Sequence, residues 1–204
     1  MKLYSIISNS CLGFYAHKKM YPTTEYVNGF MSTLMHDDEQ FVELAETDAS
    51  ILSKYEIKLG RDRRAVRYPP PVTPHPNYPI AKFGPVDISF IHSHNGPESI
   101  KQFNRRQERG ASQKVEHIFV LCVHEMFQGR NDDLIDRFLN IPHKSVLLTF
   151  DANDLKKTYD PNNHFVYVMS PWDDTSKQIP QTRFVDAFVH FARTSPWFFE
   201  TEKK

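Results

Sequence analysis

The sequence is poor in the residues that mark specialised protein classes. Only two of its 204 residues are cysteines and only seven are glycines. Cys11 lies in a polar segment and Cys122 in an apolar run, which argues against a disulfide framework and favours a reducing compartment. The net charge is zero, which argues against long-range attraction to nucleic acids or anionic membranes.

Long hydrophobic runs are also missing. No apolar stretch has the length of a signal peptide or of a membrane-spanning helix. The hydrophobic fraction of 40% and the charged fraction of 25% are typical of a globular protein, and the length suits one domain. We therefore expect a soluble, cytoplasmic protein with a single domain over residues 1–204, without a transmembrane segment or a nucleic-acid partner.

Proline, in contrast, is abundant, with 14 residues. Six prolines fall between residues 69 and 80, namely Pro69, Pro70, Pro71, Pro74, Pro76 and Pro79. Proline lacks the backbone N–H and is excluded from helix interiors and from central strands. Residues 69–80 are therefore predicted to be a stiff excursion over the surface, which is either a simple linker or a strap that contacts a site or a partner.

Short apolar runs alternate with amphipathic segments along the chain. The runs predict strands at residues 3–8, 86–92, 117–123, 144–150 and 165–169. Apolar residues at helical spacing predict helices at residues 36–52, 97–109, 132–139 and 182–193, with Gly110 ending the second helix. This alternation predicts an α/β, Rossmann-like three-layer domain with a mostly parallel sheet covered by helices on both faces.

The loop after the first predicted strand is the leading candidate site, because ligands bind beyond the carboxyl ends of parallel strands. It contains Ser8, Asn9, Ser10, Cys11 and Gly13. If a helix begins near Cys11, its unpaired N–H groups attract a phosphate or carboxylate and lower the pKa of the thiol. In the alternative interpretation, Asn9 and Ser10 only cap the helix and Cys11 packs beneath it. The loop lacks the glycine patterns of dinucleotide-binding folds and P-loops.

Two histidines follow the predicted strand at residues 86–92. The alternation of side chains along a strand directs His92 and His94 to the same side. Either one is a candidate general base, for Cys11 acting as a nucleophile or for an acceptor hydroxyl. They are also candidates for a metal site completed by carboxylates from elsewhere, or for a merely structural role in the loop.

Arginines and aspartates near other strand ends supply further candidates. Arg105, Arg106 and Arg109 lie on one predicted helix, where the first and last share a face one turn apart and suit a phosphate or carboxylate. The alternative is a solvated basic face. Asp151 and Asp154 follow the fourth strand and are candidate metal ligands, although their spacing fits the Asp-x-Asp pattern of many glycosyltransferases poorly. The alternative is a short turn beginning at Asp154.

Several short blocks spread over the chain carry a family likeness. The segment Ile7-Ser8-Asn9-Ser10-Cys11-Leu12-Gly13 is similar to an Ile-Ser-Asn-Asn-Cys-Trp-Gly opening, with serine and leucine replacing the second asparagine and the tryptophan. Further blocks are Tyr78-Pro79-Ile80, the strand ending at His92, Phe103-Asn104-Arg105-Arg106 with Arg109, and His143-Lys144-Ser145-Val146. In these blocks the chain resembles a bacterial family often labelled exopolysaccharide biosynthesis protein and catalogued as a domain of unknown function. The resemblance implies a role in glycan assembly.

Together, the residues and this resemblance predict a glycan-assembly transferase, similar to a glycosyltransferase. Its partners are a nucleotide-sugar donor and a glycan acceptor, and a divalent metal is the candidate cofactor. The first loop and the three arginines hold the diphosphate, while His92 or His94 deprotonates the acceptor hydroxyl. The second hypothesis is a Cys-His hydrolase or acyltransferase that uses Cys11 as its nucleophile. The third is a non-catalytic sugar-binding module.

Overall fold

The structure is a computed structural model that describes residues 2–30, 33–35, 38–64, 78–90, 93, 95–123, 130–169 and 180–198. The strands are β1 Tyr4–Ser8, β2 Leu34–Met35, β3 Ile57–Arg64, β4 Tyr78–Phe83, β5 Val86–Ser89, β6 Glu116–Cys122, β7 Lys144–Thr149 and β8 His164–Val168. The helices are α1 Leu12–Met20, α2 Asp38–Glu46, α3 Ala49–Leu52, α4 Gly96–Ser112, α5 Asp132–Phe138 and α6 Pro180–Thr194. Short 3₁₀ turns lie at Ala152–Lys156 and Pro196–Phe198.

Two sheets organise the described part of the chain. Strands β1, β6, β7 and β8 form a parallel sheet in that order, in which Ile6 lies opposite Ile118 and Val120 opposite Val146. Strands β2, β5, β4 and β3 form an antiparallel sheet in that order. The predicted fold class is confirmed: the protein is an α/β, Rossmann-like three-layer domain, with a smaller antiparallel sheet added to it.

The parallel sheet is covered on both faces because successive side chains of a strand point to opposite sides. Ile7 belongs to a core shared with α2 and α5 that includes Phe41. Its neighbour Ile6 belongs to a second core shared with α1 and α6 that includes Leu12 and Phe188. None of the helices in the described segments is both long and apolar enough to cross a lipid bilayer.

The predicted strand at residues 86–92 is present as β5, but its expected place in the parallel sheet is wrong. β5 forms an antiparallel hairpin with β4, in which Phe83 pairs with Val86. Gly84 closes the turn at a φ of +57°, a backbone region that glycine adopts without a steric penalty. An apolar run does not reveal the direction of its partner strand. The rule that ligands bind beyond the carboxyl ends of parallel strands therefore gives no reason to place the residues after β5 beside the first predicted loop.

The last residues of the proline-rich segment form a strand, contrary to the prediction. Residues 78–80 belong to β4, a central strand of the antiparallel sheet, so the exclusion of a central strand is wrong there. Pro79 pairs with Arg63 beyond a register irregularity in β3, and its carbonyl accepts a hydrogen bond from the N–H of Phe90 at 3.0 Å. A bulge tolerates a residue without an N–H because the ladder is already interrupted. Residues 69–77 lie outside the described residues.

Two predicted helix boundaries also differ. The segment 36–52 contains two helices, because Asp48 accepts a hydrogen bond from the N–H of Ser50 at 2.8 Å and starts α3. Gly110 lies inside α4 and does not end it. A Cβ atom at Gly110 would lie 2.1 Å from the carbonyl oxygen of Val27. This glycine is therefore explained by the close approach of another backbone and not by a helix end.

Candidate functional site

The loop after β1, residues 8–13, lies at the carboxyl edge of the parallel sheet, and we call it the first loop. Asn9 extends the ladder between β1 and β6 with its side chain: its Nδ2 donates to the carbonyl of Cys122 at 3.1 Å, and the N–H of Cys122 donates to its Oδ1 at 3.0 Å. The same Nδ2 donates to Asp38 of α2 at 2.9 Å. The amide of Asn9 therefore joins three elements at this edge.

The two serines of the first loop are buried and bonded to each other. The Ser10 N–H donates to Ser8 Oγ at 3.1 Å, and the two hydroxyl oxygens are also 3.1 Å apart. The N–H of Leu12 donates to Ser10 Oγ at 3.2 Å. The Ser10 hydroxyl therefore accepts from the first N–H of α1 without being its N-cap residue, whereas Asn9 bonds β6 and α2.

The start of α1 packs closely against the end of β1. The predicted helix near Cys11 is confirmed, since α1 begins at Leu12 with Cys11 as its N-cap residue. A Cβ atom at Gly13 would lie 2.6 Å from the carbonyl oxygen of Ile6, so only glycine permits this approach of helix and strand. The first turn of α1 contains no acidic residue, which leaves the positive end of the helix dipole uncompensated by its own side chains.

Both cysteines are buried at this edge, and neither forms a disulfide. Cys11 is 7% exposed. Cys122 is fully buried, with its Sγ 3.8 Å from Ser10 Oγ. Burial raises the pKa of the Cys122 thiol to about 12, in spite of the hydrogen bonds from Ser10 and Ser8. Cys122 is therefore a neutral thiol beneath the first loop.

The predicted arginine cluster lies on α4 and contacts the segment that follows α1. Arg109 donates to the carbonyl of Tyr26 at 2.7 Å and forms an ion pair with Glu25 at 2.7 Å. The Arg106 guanidinium lies 5.3 Å from the centre of the Tyr26 ring, while Arg105 is exposed. The Tyr26 ring also contacts the Phe14 ring in the first turn of α1, at 5.2 Å. Tyr26 thus connects the arginine helix to the start of α1.

The two candidate metal ligands after β7 differ in their surroundings. Asp154 is fully buried and receives a two-pronged hydrogen bond from Arg130, at 2.8 and 2.9 Å, and a third from Thr149 at 2.7 Å. Asp151 lies 3.4 Å from the same guanidinium and begins the 3₁₀ turn at Ala152–Lys156. The predicted turn at this position is present, but it starts at Asp151 and not at Asp154.

These carboxylates do not fit a metal site. Both oxygens of Asp154 accept hydrogen bonds from arginine, whose positive charge repels a cation. The described residues contain no group of three or more histidine, cysteine or acidic side chains able to hold a metal ion. Burial raises the pKa of Asp154, but the hydrogen bonds from Arg130 and Thr149 outweigh it and hold this pKa below its ordinary value.

Two arginines at the carboxyl edge were missed by sequence reasoning. Arg130 precedes α5 and holds the end of the β6–α5 loop against Asp154. Arg183 lies near the start of α6, with its guanidinium 5.9 Å from the ring centre of Phe150, which directly follows β7. Neither arginine belongs to a recognisable sequence motif. Only the contacts in the folded structure show that each lies at the carboxyl edge.

The two predicted histidines, His92 and His94, lie outside the described residues. Asn95, which follows them, is the N-cap of α4 and accepts a hydrogen bond from the N–H of Glu98 at 3.2 Å. The pairing of either histidine with Cys11 stays a prediction.

These observations place the protein in the class of Rossmann-like α/β proteins. Its first loop and the start of α1 lie at the carboxyl edge of the parallel sheet. A family model described as a domain of unknown function, DUF1919, matches residues 1–187. Because the match spans most of the chain, the protein belongs to this family. A search of curated proteins finds no match to the chain.

Proposed function

We propose that the protein is a glycan-assembly transferase, similar to a glycosyltransferase, that binds the diphosphate of a nucleotide-sugar donor at the start of α1. One observation carries the proposal. Gly13 allows α1 to begin directly over the end of β1, at the carboxyl edge of the parallel sheet and without an acidic residue in its first turn.

Phosphate is the ligand that this arrangement favours. A helix start attracts anions through its dipole and its N–H groups. In α1 the N–H of Leu12 already donates to Ser10 Oγ, so the proposal relies on the dipole. In dinucleotide-binding folds a glycine in the first helix gives close packing of helix and strand, which sets the helix start beside the pyrophosphate. Gly13 makes the same kind of approach to Ile6, although the rest of that glycine pattern is missing.

Positive charge at the same edge supports the donor site. Arg183 lies beside Phe150, the residue that immediately follows β7. The planar guanidinium of an arginine can bind two phosphate oxygens at once. Arg106 and Arg109 already contact Tyr26 and Glu25. We therefore assign these two to positioning α4 beside β1, and we assign the donor phosphates to the α1 start and Arg183.

The remaining roles follow from the sequence. His92 and His94 stay candidate bases for the acceptor hydroxyl on the sequence alone, because β5 belongs to the antiparallel sheet. The glycan substrate class comes from the resemblance to the family labelled exopolysaccharide biosynthesis protein. No step of the proposal passes through a metal, because Asp151 and Asp154 are engaged by Arg130.

The test is thermal unfolding of the full chain with a panel of nucleoside diphosphate sugars, with the matching free sugars as controls. A donor at 100 times its Kd stabilises the folded state by about 2.7 kcal/mol, a shift of several degrees in Tm. Arg183→Met should abolish most of this shift. Arg193→Met, an exposed arginine in the last turn of the same helix, should leave it intact.

The outcomes separate the three hypotheses. If no nucleotide sugar raises the Tm of the wild-type protein, the transferase proposal is wrong. If a donor binds but no acceptor yields a product, the sugar-binding module is the better description. A transferase should keep its turnover in Cys11→Ala, since its chemistry needs no thiol, whereas a Cys-His hydrolase or acyltransferase should lose it.

A further inference from the structure

A cavity of about 330 Å³ lies between α4, the turn after α3 and the inner faces of the two sheets. Its volume lies within the range of small-molecule sites. Most of its wall is apolar and includes Ile7, Phe30, Phe83 and Phe103. No residue of the first loop lines it, so the cavity is separate from the proposed donor site.

Three half-buried polar side chains line this cavity and keep hydrogen-bonding capacity unused among the described residues. His117 Nδ1 bonds Ser5 Oγ at 2.8 Å, and its Nε2 has no partner. Gln107 Oε1 accepts from the N–H of Gly29 at 3.1 Å, and its NH₂ group has no partner. The hydroxyl of Tyr55 makes no hydrogen bond. An apolar wall with a few polar groups is the usual composition of a ligand pocket.

The charges around the cavity indicate which ligand it accepts. Among the described residues, no lysine or arginine lines the cavity, and the one charged residue in its wall is the exposed Glu108. Burial, with a smaller contribution from the neighbouring His143, lowers the pKa of His117 to about 4. The imidazole is therefore neutral near pH 7, and the described part of the wall offers an anion no opposite charge.

We propose that this cavity is a second binding site, which takes a small, uncharged and largely apolar molecule with one polar group. The apolar body lies against Phe83 and Phe103, and the polar group hydrogen-bonds to His117 Nε2 or to the Gln107 amide. The site does not depend on the proposed transferase function, because it shares no residue with the first loop or with Arg183.

The experiment titrates the full chain with N-phenyl-1-naphthylamine, a neutral probe that fluoresces in apolar surroundings. Saturable binding to one site is expected. Ala111→Trp places a large ring at the lining position on α4 and should weaken binding about tenfold or more. Ser112→Trp is the matched control, since this neighbour is exposed like Ala111 but does not line the cavity. It should leave binding unchanged.

A second comparison tests the polar contact. His117→Phe removes the ring nitrogens while keeping an apolar wall, so it should weaken the binding of 1-naphthol while leaving that of naphthalene unchanged. Gln107→Met provides the same comparison if the first variant fails to fold, as judged by its thermal unfolding. The proposal is overturned if the probe does not saturate, if Ala111→Trp binds it as the wild type does, or if 1-naphthalenesulfonate binds more tightly than 1-naphthol.

Discussion

Asn9 and Cys122 are joined by two hydrogen bonds, in which the side-chain amide of Asn9 serves both backbone groups of Cys122. The amide acts as one further residue of strand β1 after the backbone has turned into the first loop. Because Cys122 is buried, these groups have no access to replacement water. The loop is therefore held to β6 by the side chain that the sequence marks as a ligand-binding candidate.

Asn9→Ala should lower the free energy of unfolding by about 2–4 kcal/mol, because it leaves the buried N–H and carbonyl of Cys122 unpaired. Urea denaturation followed by circular dichroism measures this loss. Asn153→Ala, at an exposed asparagine, should change stability by no more than about 0.5 kcal/mol. Equal effects of the two substitutions would contradict the role assigned to Asn9.

Gly13→Ala should destabilise the protein by about 1–3 kcal/mol, because the added methyl group overlaps the Ile6 carbonyl and forces α1 away from β1. The displaced helix start should also weaken the thermal shift caused by a nucleotide sugar. Lys18→Ala, on the exposed face of the same helix, serves as the control for helix stability. A stable Gly13→Ala variant with unchanged donor binding would show that the close approach is not needed.

Arg130→Met should cost about 3–5 kcal/mol, because it leaves the buried carboxylate of Asp154 without its partner. The double variant Arg130→Met/Asp154→Asn should cost less than the single one, since the unpaired charge is gone. Arg137 also pairs with two carboxylates, Glu39 and Glu46, but at the surface. Arg137→Met should therefore cost only about 0–1 kcal/mol in the same urea titration. Additive effects of the substitutions at Arg130 and Asp154 would argue against the pair.

The same pair predicts a dependence of stability on pH. The folded state lowers the pKa of Asp154, so the ionised carboxylate stabilises the protein fully above the ordinary aspartate pKa of about 4. This contribution is lost as the pH falls through the lower folded-state value. The stability difference between wild type and Asp154→Asn should thus be constant from neutral pH down to about 5 and shrink below about 4. A difference that does not change with pH would exclude ionisation of Asp154 as its source.

Arg109→Ala should lower stability by about 1–3 kcal/mol, because the guanidinium bonds the Tyr26 carbonyl and Glu25 and fastens the segment beside β1. Arg105→Ala removes an exposed neighbour on the same helix and should have an effect of at most about 0.5 kcal/mol. Thermal unfolding of both variants tests this difference. If both are as stable as the wild type, Arg109 is free to act as the predicted ligand-binding residue.

Local patterns were sufficient for much of the fold. The apolar runs predicted β1, β6, β7 and β8 to within two residues at each end, because a strand buried on both faces needs consecutive apolar residues. The start of α1 after the first loop followed from the small polar residues before it. The site was less predictable, because bonds such as those of Arg130 to Asp154 and of Asn9 to Cys122 join residues distant in sequence.

By itself, the sequence determined that this protein is an α/β domain with its first loop at the carboxyl end of the first strand. Burial of apolar side chains depends on spacing that can be read along the chain. Only the tertiary structure decided that β5 joins the antiparallel sheet and that Asp154 is engaged by Arg130. It also decided that Gly13 lies against Ile6. Strand direction, ion pairing and backbone contact depend on which distant segments meet, and composition and periodicity do not encode those partners.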